Sequence, residues 1–160
     1  MKYCIDTSAL IDLGERHYPE RLPVFKPIWN YVYQEIANGN IVSVDLVKEE
    51  LESKADDWRS NFLLQANGMF QIDGDIENEF ASVVSEIESK NGVFNINKHR
   101  ERFMSGADPW VIALARNKQC TVVSSETKKL AHYGLGEICK ELKVPHMNLV
   151  KFFEVNKIGG

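Results

Sequence analysis

Short apolar runs alternate with amphipathic stripes along the chain. The first run, residues 3–5, has three side chains suited to a short buried strand, and Asp6 ends it with a charge. Comparable runs follow at 41–42, 69–72, 120–123 and 144–147. Stripes with helical spacing lie between them, at 28–36, 44–54, 56–65, 75–89, 108–115 and 137–142. Strands separated by helices in this order predict an α/β fold, with a parallel sheet flanked by helices.

Polar residues at the ends of these stripes predict where several helices begin. Ser8 is expected to cap a helical turn after the first strand. Ser43 is expected to cap the helix predicted at 44–54. Asp108 followed by Pro109 is a strong start signal, with Asp108 at the cap and Pro109 as the first helical residue. Asn148 is expected to cap the last helix. Capping by itself would account for Asp108, so a chemical role for that residue needs further support.

Length and composition indicate one globular domain over residues 1–160. Hydrophobic residues make up 44% of the chain and charged residues 26%, which is ordinary for such a domain. No apolar run approaches the roughly 20 residues of a membrane span, and Asp6 and Asp12 interrupt any signal-peptide segment. Cys4, Cys120 and Cys139 lie far apart without metal-ligand spacing, so we expect reduced thiols and a cytoplasmic location.

The charge balance bears on the choice of partner. The chain has 19 Lys and Arg residues against 23 Asp and Glu residues, a net charge of −4. A basic balance is typical of nucleic-acid-binding proteins, so this count on its own disfavours a polyanionic partner. The objection weakens if some of the acids are clustered around divalent cations, because these reverse the sign of the local field.

One acid lies on the apolar face of its predicted helix. Glu50 follows Leu46 by four residues and Val47 by three, so it shares their side of the helix, whereas Glu49 projects toward solvent. A carboxylate on the inward face is costly unless something pairs with it. A salt bridge at the edge of the core is the ordinary explanation for Glu50, and a functional site is the other.

Three further acids are expected near one edge of the sheet. Asp6 and Glu126 each follow a predicted strand directly, and Asp108 starts a helix. Because parallel strands bring their C-terminal ends together, these side chains can meet, and carboxylates at close range repel one another unless a cation joins them. Oxygen ligands favour Mg²⁺ or Mn²⁺. The histidines are scattered, at positions 17, 99, 132 and 146, and form no competing cluster.

Four short motifs surround these acids in order along the chain. They are Asp6-Thr7-Ser8, Val47-x-x-Glu50-Leu51, residues 107–115, and Val122-Val123-Ser124-Ser125-Glu126. Their order and spacing resemble the four acidic motifs of the PIN (PilT N-terminus) nuclease superfamily over nearly the whole chain. The ending Ile138-Cys139-x-x-Leu142-x-Val144-Pro145, followed by Asn148-Leu149, is similar to a bacterial and archaeal PIN-like branch described only as a domain of unknown function.

The resemblance implies a single PIN-like domain with a three-layer α/β/α sandwich and a central parallel sheet. It also implies cleavage of RNA phosphodiester bonds that depends on Mg²⁺ or Mn²⁺. Asp6, Glu50, Asp108 and Glu126 correspond to the family's acidic quartet, and Ser8 to a small polar residue that supports the site. Glu126 departs from the pattern, because the fourth acid of the family is more often Asp, and its greater length could alter how metal is held.

The resemblance implies partners as well. Many small PIN proteins are toxins of toxin–antitoxin pairs, so a cognate antitoxin protein is expected beside the RNA substrate, and a homodimer is a further candidate assembly. No membrane partner is expected. The basic residues that are candidates to contact the RNA backbone are Lys98, Arg100, Arg102, Lys128 and Lys129, most of them in or near a polar surface loop at 91–102.

Two other functions fit parts of the pattern. The first is a PIN domain that binds nucleic acid or serves as a scaffold without cleavage, which an incomplete acidic quartet would favour. The second is a receiver-type domain with Asp6 as phosphoacceptor. That function requires a second Asp near the first strand and a Lys after a later one, and Asp12 and Lys128 are poor substitutes.

Overall fold

The first strand, β1 (Tyr3–Ile5), is fully buried and lies inside the sheet. A computed structural model of the protein describes residues 1–54, 56–90, 100–125 and 135–158. In these ranges β1 pairs with β2 (Ile41–Val42) on one side and β3 (Thr121–Val123) on the other, and β4 (His146–Met147) pairs with β3. The strand order is β2-β1-β3-β4 and every pairing is parallel. An apolar strand buried on both faces is typical of such a sheet.

Helices occupy most of the remaining described residues. They are α1 (Thr7–Ile11), α2 (Lys26–Ala37), α3 (Asp45–Glu52), α4 (Asp57–Gln65), α5 (Gly74–Ser89), α6 (Arg100–Ser105), α7 (Asp108–Lys118), α8 (Leu135–Glu141) and α9 (Leu149–Val155). A π-helical segment, Asp12–His17, continues α1, and short 3₁₀ turns lie at Pro23–Phe25 and Asn67–Met69. None of the helices in the described ranges combines the length and apolar character needed to cross a bilayer.

The connections between strands divide the helices into two layers. Connections between parallel strands are almost always right-handed, so this strand order puts α1 and α2 on one face of the sheet and α7 and α8 on the other. The last helix lies on the side of α2, because the ring of Phe152 packs against Tyr31 with ring centroids 6.1 Å apart. The predicted three-layer α/β/α sandwich is therefore confirmed.

The strand order creates a crevice at the C-terminal edge of the sheet. The chain leaves β1 toward β2 on one side and later returns to β3 on the other, so the ends of β1 and β3 form the topological switch point at which α/β proteins bind ligands. Asp6 is held at this point, because its N–H donates to the carbonyl of Val123 at 3.1 Å. The residues that follow β1 and β3 therefore border the crevice together.

The start of α1 differs from the prediction. Asp6, rather than Ser8, is the cap: its backbone is extended and its carboxylate accepts the N–H of Ala9 at 2.9 Å. Ser8 lies one residue inside the helix and uses its hydroxyl elsewhere. The reason is position, because a capping side chain must precede the first helical residue in order to reach the free N–H groups.

The predicted cap of α3 is also wrong. Ser43 is fully buried and donates its hydroxyl to the carbonyl of Ile5 at 2.5 Å, so α3 begins after Val44. Ser43 also forms an isolated parallel bridge with Phe70. The strand predicted at 69–72 is therefore reduced to this bridge. Contact with the central strand thus overrides the local preference of a serine for a cap.

Most other predicted elements occur within a residue or two of their expected bounds. The apolar stripe of α2 buries Trp29, Val32 and Ile36, and Asn148 caps α9 by accepting the N–H of Lys151 at 2.9 Å. One exception is the predicted loop at 91–102. Its residues 91–99 lie outside the described residues, and the rest of it belongs to α6.

A buried ion pair and a glycine join α4 to the π-helical segment. Arg59 is only 7% exposed, and its guanidinium ion-pairs with the carboxylate of Glu15. At Gly14, an added Cβ would lie 2.0 Å from the nearest ring atom of Trp58, far inside van der Waals contact. The Trp58 ring in turn stacks on Phe62 with centroids 5.1 Å apart. Gly14 is therefore required by the packing of this indole ring.

We predict that Gly14→Ala destabilises the protein by about 1–3 kcal/mol, the usual cost of overpacking a core, because the indole cannot move without disturbing its stack. Gly68→Ala is the matched control, since a Cβ at Gly68 meets nothing within 4 Å. Its effect should stay within about 0.5 kcal/mol. Urea unfolding measures both. Equal stability of the two variants would contradict the packing argument.

Candidate active site

Asp6 is a buried carboxylate at the switch point, only 3% exposed. Besides capping α1, it accepts a hydrogen bond from the hydroxyl of Ser8, which lies 2.9 Å from one carboxylate oxygen and 3.0 Å from the other. These bonds hold the orientation of the group at the mouth of the crevice.

Ser8 links Asp6 to the chain after β3. While its hydroxyl donates to Asp6, the same oxygen accepts the backbone N–H of Ser125 at 3.1 Å. A hydroxyl has one proton and two lone pairs, so both bonds can form at once. Ser125 directly precedes Glu126, which lies outside the described residues. Ser8 therefore connects the segment of the first acid with the segment that leads to the fourth.

Glu50 links its own helix, α3, to the segments of Asp6 and Asp108. Its carboxylate accepts the hydroxyl of Thr7 through Oε2 and the backbone N–H of Ala107, at 3.1 Å, through Oε1. Thr7 follows Asp6, and Ala107 precedes Asp108. Glu50 is half-buried while Glu49 is exposed, so the helix facing predicted from the sequence is confirmed.

The role predicted for Asp108 as a helix cap is wrong. Asp108 is the first residue of α7 and Pro109 the second, and Ala107 occupies the cap position with helical backbone angles, φ −77° and ψ −19°. Ala107 has no side-chain acceptor, and its own N–H is instead bound by the distant carboxylate of Glu50. Asp108 itself lies half-buried in the first turn of α7.

The structure thus joins the segments that carry Asp6, Ser8, Glu50 and Asp108 through direct hydrogen bonds. Sequence reasoning missed Thr7, although it lies between two predicted site residues, because its bond to Glu50 spans 43 positions. Within the described ranges, no three acidic, histidine or cysteine side chains are grouped so that they could hold a metal ion. The described residues bring the acidic segments together without forming a complete cation site.

The side chains of the predicted RNA-contacting residues are not described by the structure, so their role stays a prediction. Lys98, Lys128 and Lys129 lie outside the described residues, as do the side chains of Arg100 and Arg102.

A serine–histidine pair joins β3 to β4 beside the crevice. Ser124 is 2% exposed, and its Oγ lies 2.6 Å from Nε2 of His146. The His146 ring also packs against α8, where a Cβ on Gly136 would lie 2.9 Å from it. Although part of the residue remains exposed, burial of the ring lowers the pKa of His146 below its usual value of 6.5. The imidazole is therefore neutral at pH 7.

The fold and the site together define an α/β/α protein with acidic segments joined at the C-terminal edge of a parallel sheet. Residues 3–159 match the family model described as "Domain of unknown function (DUF4411)", and the chain belongs to this family. No curated protein matches the chain. The family description assigns no activity, so the resemblance to PIN nucleases stays a prediction.

The lowered pKa of His146 predicts an acid-sensitive contribution to stability. As the pH falls below about 6.5, the unfolded chain binds a proton at this histidine before the folded protein does, so the free energy of unfolding decreases. His146→Gln lacks this proton. The stability of wild type relative to His146→Gln should therefore decrease between pH 7.5 and 5.5 in thermal unfolding. A difference that stays constant or increases on acidification would contradict the prediction.

Proposed function

We propose that this protein is a metal-dependent endoribonuclease that cleaves RNA phosphodiester bonds with Asp6, Glu50, Asp108 and Glu126. The observation that carries the proposal is the pair of hydrogen bonds made by Glu50, which tie the segment of Asp6 to the segment of Asp108. Ser8 extends this connection toward Glu126. The segments of Asp6, Glu50 and Asp108 are thus joined by hydrogen bonds near the switch point, and Ser125, the residue before Glu126, is bonded to Ser8.

The chemistry of the donors suits a divalent cation. The partners of Glu50 in the described part of the chain are a hydroxyl and a backbone N–H, and neither neutralises its charge. A partly buried carboxylate near a buried one is costly without a counter-charge. Its oxygen ligands favour Mg²⁺ or Mn²⁺. We assign a further ligand to Glu126, which corresponds to the fourth acid of the PIN resemblance and lies outside the described residues.

In this proposal each residue has a separate task. Asp6, Asp108 and Glu126 hold the cation, and Glu50 supplies a further ligand or holds the attacking water. Ser8 and Thr7 orient the carboxylates of Asp6 and Glu50 through the bonds described above. When bound, the cation supplies Lewis-acid activation of water and neutralises charge on the leaving oxygen. It also offsets the acidic balance of the chain toward an anionic substrate.

The biological role proposed here is that of a cytoplasmic toxin neutralised by an antitoxin protein. This part rests on the resemblance to PIN toxins alone. A second candidate function is RNA binding without cleavage. It is favoured by the lack of a complete cation site among the described residues, and it predicts RNA binding that requires neither metal nor the acids.

The acidic residues should differ in their effects on cleavage. We expect Asp6→Asn and Glu50→Gln to lower the rate by more than about 100-fold, because each loses a charged oxygen while keeping its size. Ser8→Ala should lower it by roughly 10–100-fold, the usual cost of removing a group that supports a metal ligand. Glu49→Gln, with an exposed carboxylate on the same helix, is the matched control and should retain activity.

The assay follows cleavage of a single-stranded RNA in Mn²⁺, with chelator as a blank. Cleavage by Asp6→Asn at the wild-type rate would exclude the proposed mechanism, and wild-type RNA binding without cleavage would favour the second candidate. Growth arrest on expression of wild type, but not of Asp6→Asn, would support the toxin role.

Metal should also stabilise the folded protein. A cation that binds only the folded state at 100 times its dissociation constant contributes about 2.7 kcal/mol, so Mn²⁺ should raise the melting temperature of wild type. Asp108→Asn should weaken this response and leave the metal-free melting temperature unchanged or higher, because it relieves repulsion between carboxylates. Asp75→Asn is the control, since it also removes an acid from the first turn of a helix. Equal responses of both variants would contradict the assignment of Asp108.

A further inference from the structure

A pocket adjoins the candidate active site on the side of β4. Its volume is about 230 Å³, and it lies between the end of the π-helical segment and the start of α9. Ser125 lines this pocket and also donates its N–H to Ser8, the residue that holds Asp6. A molecule bound in the pocket would therefore contact Ser125, which is bonded to Ser8 and precedes Glu126 in the sequence.

Apolar side chains form part of the pocket wall. Tyr18, Leu149 and Val150 contribute these surfaces. The ring of Tyr18 is held edge-on against Phe153, with centroids 4.9 Å apart, and against Phe25 at 5.5 Å. A wall of this kind suits a flat, partly apolar group. The volume is below the roughly 300–1,000 Å³ of sites for drug-sized ligands, so the pocket fits a single base better than a dinucleotide.

The polar groups of the pocket have a defined hydrogen-bonding character. Asp12 offers a carboxylate that only accepts, and its one ion pair among the described residues is with Arg16, through Oδ1 at 3.1 Å. Asn148 already uses Oδ1 to cap α9, so its Nδ2 remains as a donor. His17 completes the polar lining. The pocket thus combines an amide donor with a carboxylate, one oxygen of which already accepts from Arg16 and keeps a second lone pair.

We propose that this pocket binds an unpaired guanine base of the RNA substrate. Guanine is the base that presents two adjacent donors, N1–H and the N2 amino group, beside an acceptor, O6. The two donors match the carboxylate of Asp12, and O6 matches the amide of Asn148. Uracil and cytosine offer at most one donor next to the acceptors on this edge, and adenine offers one. The assignment of the base to an RNA substrate rests on the nuclease function proposed above.

The test measures binding of the four ribonucleoside 5′-monophosphates to the purified protein by titration calorimetry and NMR. We expect the guanosine nucleotide to bind at least about tenfold more tightly than the others, within the range that a bidentate base contact provides. Asp12→Asn and Asn148→Asp should each lose this preference. Asn148→Asp keeps a good helix cap, so loss of binding with unchanged thermal stability would identify the amide as the cause. Asp75→Asn is the control for the loss of one negative charge.

The outcomes separate this proposal from the nuclease function. Equal binding of the four nucleotides, or a guanine preference unchanged in both pocket variants, would overturn the pocket assignment even if wild type cleaves RNA. Selective guanine binding in a protein that cleaves no RNA in Mg²⁺ or Mn²⁺ would support the pocket and contradict the nuclease. With both functions present, mapped RNA ends should lie next to unpaired guanines in wild type and lose that bias in Asn148→Asp.

Discussion

The carboxylate of Glu50 makes the contact on which the rest of the site depends. By accepting from Thr7 and from the N–H of Ala107, it joins α3 to the start of α1 and to the start of α7. It also supplies an acceptor at the start of α7, where the cap residue Ala107 has no side-chain oxygen. A single side chain thus stabilises a helix start and brings two acidic segments together, and this combination explains why an acid is placed on the inward face of α3.

The same contacts leave the charge of Glu50 without a cationic partner in the described part of the chain. Glu50 is half-buried, and it accepts a hydroxyl and a backbone N–H, which orient a carboxylate without cancelling its charge. Neutral donors of this kind suit the proposed cation site, because a lysine or arginine in their place would compete with the cation. In that proposal the hydrogen bonds orient the carboxylate, and a bound ion would compensate its charge.

Connectivity explains how distant residues reach one edge. The long connection from β2 to β3 contains α3 through α7, so it supplies Glu50 from its beginning and Asp108 from its last helix. Asp6 directly follows β1, and Asn148 follows β4 at the start of the last helix. Because all four strands of the described sheet are parallel, their C-terminal ends lie at the same edge, and the acidic segments and the pocket become neighbours there.

Local spacing was enough to predict β1, α2, α5, a parallel sheet flanked by helices and the inward facing of Glu50, because apolar periodicity indicates which side of each element is buried. It could not predict the hydrogen-bond partners of small polar residues. Ser43 and Thr7 show why: the first donates to the carbonyl of Ile5 and the second to the carboxylate of Glu50, in each case a partner more than 30 positions away. A serine has similar local preferences wherever it occurs. Only the tertiary structure decides whether its hydroxyl accepts a helix N–H or donates to the carbonyl of a distant strand.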